Sequence, residues 1–144
     1  FLSIDKKGGA AIVVTSGNPD THIILRGGSS WPNYHIEDVE KVTADLDKRW
    51  ILTGIMIDDS HGNSLKKHEN QVRVNSAVSR LVAGGNRRII WVMIEANLVA
   101  WRQDDKGDSC NVHGQSITDA CVDFETQAAM LDELAAAVRV RRSK

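Results

Sequence analysis

The chain has only two cysteines in 144 residues, Cys110 and Cys121, and their spacing fits no disulfide framework. Reduced thiols, and with them a cytoplasmic location, are expected. No apolar run approaches the ~20 residues of a membrane span, and no leader pattern opens the chain, so no membrane role is expected. Neither charge sign dominates. A net charge of -1 gives no electrostatic case for nucleic acid or an anionic membrane surface as a partner. Gly84 and Gly85 lack a surrounding GxGxxG or GxxxxGK pattern, and neither Ser60 nor Ser116 sits in a nucleophile elbow. There is no internal repeat, low-complexity tract or linker, so residues 1–144 are expected to form one domain or one piece of one. An initiator methionine is also missing. Phe1 to Ile4 reads as the tail of a strand, and a segment upstream of it is expected.

The composition, 42% apolar and 26% charged, is that of a globular chain, and a domain of this size buries roughly 70% of its unfolded surface. After the glycine-containing turn Asp5–Gly9, Ala10–Thr15 is apolar and β-branched, SGNPD at 16–20 is turn chemistry, and His22–Leu25 is apolar again. These two arms read as a hairpin. Ile36, Val39, Val42 and Leu46 recur at helical spacing between His35 and Arg49, and Val72, Val78, Leu81 and Val82 mark a second helix that stops at Gly84 and Gly85. Between them lies GIMIDDSHGNS, residues 54–64, an apolar strand ending in acids and an imidazole. IIWVMI, residues 89–94, is a continuous apolar run as expected of a parallel strand covered on both faces. Leu98–Gly114 is polar and irregular, with Asp104, Asp105, Asp108, Cys110 and His113. QSITDACV, residues 115–122, is a compact segment, and a last helix runs from about Asp123 to Arg139. Such alternation predicts an α/β fold of parallel βα units: a small open sheet or a section of a barrel, since a whole eightfold barrel needs about 250 residues.

Three successive units end in a functional group: Arg26 after HIIL, the Asp58–His61 cluster after GIMI, and Glu95 after WVMI, with Asp119 in the last loop. Strand exits of a parallel sheet share one face, so these residues can converge. One imidazole and two carboxylates suit a divalent ion such as Mn, Fe, Co or Zn better than Mg or Ca. Three protein ligands with a position left open make a catalytic rather than a structural site. Taken singly, each residue has a plainer explanation: a strand-end Glu is usually solvated or paired, and an isolated Arg usually forms a surface ion pair. Cys110 and His113 lack the second pair that a zinc site needs. His22 reads as a satisfied core or edge histidine, and His35 and His68 as surface histidines.

HIILRGG (22–28), PNY (32–34), MIDDSHGNS (56–64), VMIEANLV (92–99) and GQSITDAC (114–121) together resemble the C-terminal half of type I 3-deoxy-D-arabino-heptulosonate 7-phosphate (DAHP) synthases, in order and spacing over nearly the whole chain. The resemblance implies a (β/α)8 barrel, here its C-terminal half with a β-hairpin insertion. It also implies an enzyme that condenses phosphoenolpyruvate with erythrose 4-phosphate at the entry to aromatic amino-acid synthesis. His61, Glu95 and Asp119 match metal ligands of the family, and the fourth, a cysteine, belongs to an earlier strand. Arg26 matches an arginine that binds the phosphate of phosphoenolpyruvate, and it is counted with His61 as catalytic. Phe1, Ser3 and Val13 match positions lining the aromatic amino-acid effector pocket of regulated members.

The sequence departs from the family at Asp59 (usually Phe or Cys), which adds a potential charge beside His61. It departs also at Trp91 (Gly), Ala96 (Ser), Gln115 (Lys) and the run Ala100, Trp101, Arg102 (Glu, Gly, Asn). The family's KPRT loop would precede Phe1, so the chain alone is expected to be inactive. A related eight-carbon sugar acid phosphate synthase shares the barrel, but SITDAC and the hairpin favour DAHP synthase. The rival reading is a non-catalytic barrel fragment that self-associates or binds only metal or an aromatic amino acid; a homo-oligomer is expected either way, since open sheet edges favour association.

Overall fold

A computed structural model describes residues 1–107 and 110–144; Asp108, one of the acids of the polar loop, lies outside them. The centre is a three-stranded parallel sheet in which β4 (Ile55–Asp58) lies between β3 (Ile23–Leu25) and β5 (Ile89–Met93). Its helix-facing side carries Leu25, Ile55, Ile57 and Ile89. These pack against Val39 and Leu46 of α1 (Ile36–Lys48), Val74, Val78 and Val82 of α2 (Asn70–Ala83), and Ala137 of α3 (Phe124–Arg142). On α1 and α2 the helical spacing of these residues makes one apolar stripe per helix, which a β-branched sheet face can cover. α3 begins where the Asp123 carboxylate accepts a 2.8 Å hydrogen bond from the Thr126 amide. α2 ends at Gly84, followed by Gly85 at φ 109°, the glycine stop its sequence predicts.

Three expectations are corrected. The hairpin is not Ala10–Thr15 with His22–Leu25: β1 (Leu2–Ile4) pairs antiparallel with β2 (Ala10–Ile12), while β3 pairs parallel with β4. The turn Asp5–Gly9 closes that hairpin because the Asp5 side chain accepts from the Lys7 and Gly9 amides, whereas SGNPD only carries the chain onward. β5 is not covered on both faces. It lies at the edge of the sheet, with Ile90 and Trp91 about half exposed. The loop after Asn97 holds a strand, β6 (Val99–Arg102), paired parallel with β7 (Gln115–Ser116). The architecture is therefore mixed α/β, with no closed barrel among the described residues.

Candidate metal centre and its cavity

β3, β4 and β5 deliver their exits to one end of the sheet, and Arg26, His61, Glu95 and Asp119 all line a cavity of about 330 Å³ there. Hydrogen bonds between the exits hold that end together. The Asn63 amide donates to the carbonyls of Leu25 (3.0 Å) and Asp58 (2.8 Å), and its oxygen accepts from the Asn33 amide at 2.8 Å. Asn33 in turn accepts from Gly27 at 2.6 Å. Gly27 and Gly62 are required where these two loops touch: a Cβ on Gly27, at φ 75°, would lie 2.5 Å from the Gly62 carbonyl carbon.

His61 sits in the left-handed region at φ 46°, a conformation costing roughly 1–3 kcal/mol for a residue with a side chain. Its ring is held accordingly. Nδ1 lies 2.8 Å from Asp58 Oδ2 and 2.8 Å from the Ser60 hydroxyl oxygen, and Asp58 Oδ1 accepts from both the amide and the hydroxyl of Ser60 at 2.8 Å. An ionised carboxylate only accepts, so the proton is assigned to Nδ1 and the Nε2 lone pair is left to face outward. Nε2 is 3.6 Å from Glu95 Oε1. Asp58 is thus an orienting carboxylate of the kind found behind metal-bound histidines, a role the strand-end pattern alone did not assign.

Glu95 is fixed through its backbone. The Gln71 side chain, fully buried on α2, donates to the Glu95 carbonyl (3.0 Å) and accepts from its amide (2.8 Å). Burial, and then the charges of Asp119 and Asp58, push the Glu95 carboxyl above its usual range, partly offset by His61. Asp119 is exposed, but its segment is tied to the Glu95 exit. Val122 donates to the Glu95 carbonyl and accepts from Asn97, both at 3.0 Å. One ligand atom each from His61, Glu95 and Asp119 lies within 4.8 Å of the others. Ligand atoms about 2.0–2.2 Å from a shared ion stand roughly 3.0–3.6 Å apart, so the widest of these separations would have to close by about 1 Å; in its chemistry, one imidazole and two carboxylates, the donor set fits a divalent ion.

Three assignments change with the geometry. His68 is not a surface histidine, because its side chain is only 10% exposed and it lines the cavity beside Lys66. Asp59 does not line the cavity. The alternation along β4 carries it to the side of Ile55 and Ile57, where it is fully buried and neither carboxylate oxygen has a partner. Burial, and next the charge of Asp58, raise its pKa from 3.8 to about 8, so at neutral pH it is chiefly the uncharged acid. His22 is not satisfied either: its ring packs edge-on against Trp91 at 4.8 Å, and its buried Nε2 has no partner. His113 and Cys110 are exposed and do not join the ligand cluster. Phe1, Ser3 and Val13 lie away from the cavity in the hairpin, where Phe1 and Val13 exchange backbone hydrogen bonds of 3.0 and 2.9 Å.

Residues 3–132 match the DAHP synthetase I family. The phospho-2-dehydro-3-deoxyheptonate aldolase of Haemophilus influenzae is 47% identical over 99% of this chain and 39% of its own. The tyrosine-inhibited protein of that name from Schizosaccharomyces pombe is 48% identical over 99% and 39%, and the Phe-sensitive one of Escherichia coli 46% over 99% and 40%. A solved phospho-2-dehydro-3-deoxyheptonate aldolase from Francisella tularensis superposes with a TM-score of 0.84 at 48% identity, over 98% of this chain and 41% of that one. The chain spans about two fifths of the length of the relatives it matches. With the match running through every strand exit that builds the cavity, the chain belongs to the DAHP synthetase I family.

Proposed function

We propose that this chain is the C-terminal part of a single (β/α)8 barrel domain acting as a DAHP synthase, which joins phosphoenolpyruvate to erythrose 4-phosphate. The observation that carries the reading is the convergence of His61, Glu95 and Asp119 from three separate strand exits on one cavity that Arg26 also lines. His61, Glu95 and Asp119 would hold a divalent ion, Mn, Fe, Co or Zn. When bound it supplies Lewis-acid polarisation of the aldehyde oxygen. The chain's own groups do the positioning. Asp58 keeps the proton on Nδ1 of His61, Gln71 fixes the Glu95 backbone, and the Arg26 guanidinium offers paired donors to the phosphate of phosphoenolpyruvate. The electron pair of the phosphoenolpyruvate double bond then joins carbon 3 to the aldehyde carbon, whose oxygen takes up a proton. Water adds at carbon 2 and gives up its protons, and the bond from carbon 2 to the phosphate oxygen breaks, releasing inorganic phosphate and leaving a ketone at carbon 2.

The hairpin supports two further assignments. Phe1 and Val13 pair directly and Ser3 pairs with Ala11, which suits an aromatic amino-acid effector site at Phe1, Ser3 and Val13. The names of the Phe-sensitive and tyrosine-inhibited relatives point the same way. Leu2, Ile4, Ile12 and Val14 expose 74–89% of their surface on the other side of the hairpin. That surface favours a homo-oligomer, and it also keeps alive a second reading, a self-associating fragment without catalysis. No helix among the described residues is long and apolar enough to cross a membrane. The proposed cytoplasmic location rests on Cys110 and Cys121, whose spacing fits no disulfide framework.

The test is Mn binding followed by electron paramagnetic resonance, together with an assay for DAHP. One site lost in His61→Ala and Glu95→Ala is expected, with no turnover by the chain alone. Mn binding that survives both substitutions would refute the metal centre, and robust turnover by the chain alone would refute the shared site.

A further inference from the structure

We propose that Trp101 is the positioning residue for Asp119. Its backbone closes the loop that carries this carboxylate, and its ring braces that loop against His68 on the far wall of the cavity. This rests on the reading of His61, Glu95 and Asp119 as metal ligands.

Of the three ligands Asp119 is the exposed one. The His61 ring is fixed by Asp58 and Ser60, and the Glu95 backbone by the buried Gln71. The Asp119 carboxylate goes where its loop puts it. That loop, Ile117 to Ala120, is tied at both ends to β6 or the residue after it. At one end the Gln103 amide donates to the Ser116 carbonyl at 2.8 Å. At the other, Trp101 donates to the Cys121 carbonyl at 2.9 Å and accepts from the Cys121 amide at 3.2 Å. Val99 and Arg102 stand opposite Gln115 and Ser116, so β6 holds Ala100 and Trp101 as extra residues between pairs that are adjacent on β7. This bulge, with Trp101 in the left-handed region at φ 77°, re-aims the Trp101 backbone from β7 to Cys121.

The ring makes the second attachment. It packs edge-on against His68, with centroids 5.0 Å apart at 76°, a favoured geometry for two aromatic rings. His68 is a firm partner. Its side chain is 10% exposed, and its carbonyl accepts from the amide of Gln71 at 3.1 Å, the same residue that clamps Glu95. A glycine, which the family usually has at this position, adopts φ 77° freely and can make both backbone bonds to Cys121. The bulge therefore does not need tryptophan, which adopts this region rarely. What the indole adds is a cross-brace between the Asp119 loop and the start of α2, and so a fixed separation between Asp119 and the other two ligands.

Hydrogen exchange of the Cys121 amide in the metal-free chain, together with Mn titration followed by electron paramagnetic resonance, tests the proposal. Trp101→Gly keeps the backbone conformation and removes the ring. It should speed Cys121 exchange several-fold, weaken Mn binding about tenfold and broaden the Mn lines as Asp119 loosens. Trp101→Phe keeps a ring and should restore most of each. His68→Ala should reproduce Trp101→Gly, and the double variant should be no worse than either alone. Cys121 exchange unchanged in Trp101→Gly would overturn the proposal, as would a phenylalanine variant no better than glycine. So would Mn affinity and line shape unchanged in Trp101→Gly while the wild-type chain binds Mn. Exchange is read without metal, so it judges the brace independently; a wild-type chain that binds no Mn refutes the metal-centre reading instead.

Discussion

Gln71, buried on α2, makes both of its side-chain hydrogen bonds to the backbone of Glu95, 3.0 Å to the carbonyl and 2.8 Å from the amide. A helix residue thereby sets where the β5 exit leaves the sheet and where the Glu95 carboxylate begins. In Gln71→Leu the Glu95 amide loses its partner, and the Glu95 carbonyl keeps only its bond from Val122. Denaturant unfolding should show a loss of about 1–3 kcal/mol, and Mn titration about a tenfold weaker site. Unchanged Mn affinity would mean that Glu95 is placed by something else.

Asp58 acts on the imidazole in the same indirect way. Replacing it as Asp58→Asn keeps the shape but allows an amide N–H to face Nδ1, which favours the tautomer with the proton on the metal-facing nitrogen. Outer carboxylates of this kind are worth about 10–100-fold in metal affinity. Calorimetric titration with Mn or Zn should show a drop of that size with the circular dichroism spectrum preserved.

Asp59 predicts an unusual pH dependence of stability. Its pKa is about 8 in the folded chain against an ordinary 3.8, so between those values the folded state holds a proton that the unfolded state has released. Stability then falls as pH rises through this window, by up to about 1.4 kcal/mol per pH unit from this one group. Urea unfolding between pH 5 and 8 measures it. Asp59→Cys should flatten that slope and stabilise the chain at pH 7.5, and an equally steep slope in the variant would assign it to other groups.

Gly27→Ala should be among the most damaging small substitutions. The new Cβ would meet backbone, 2.5 Å from the Gly62 carbonyl carbon and 2.6 Å from the Asn63 nitrogen, at φ 75°. Backbone has little room to yield, and the strain and overlap together predict a loss of about 2–5 kcal/mol. Thermal unfolding would register it. Because the contact joins the Arg26 and His61 loops, any folded fraction should also bind Mn less tightly.

Much of this was legible in the residues themselves. The apolar stripes of α1 and α2 and the glycine stop at Gly84 follow from local spacing, because a helix face is a property of residues three and four apart. For α3 the same spacing puts Phe124, Ala128, Leu131, Leu134 and Val138 on one face, yet the helix buries Met130 and Ala137 and leaves Phe124 and Leu131 exposed. The placing of Arg26, His61, Glu95 and Asp119 at the ends of their segments follows from apolar runs giving way to polar ones. The hairpin partner was not legible. Ala10–Ile12 can pair with either neighbour by its own composition, and the choice of Leu2–Ile4 depends on β3 being drawn into the parallel sheet beside β4. Nor could spacing reveal that Asp59 is buried without a partner, that Gln71 clamps Glu95 from 24 residues away, or that His68 lines the cavity against Trp101. The amino-acid sequence by itself determined which segments deliver Arg26, His61, Glu95 and Asp119, the residues that meet at the cavity. Only the tertiary structure decided which other side chains hold them, because burial and long-range hydrogen bonds depend on what the fold brings near and not on what lies next in the chain.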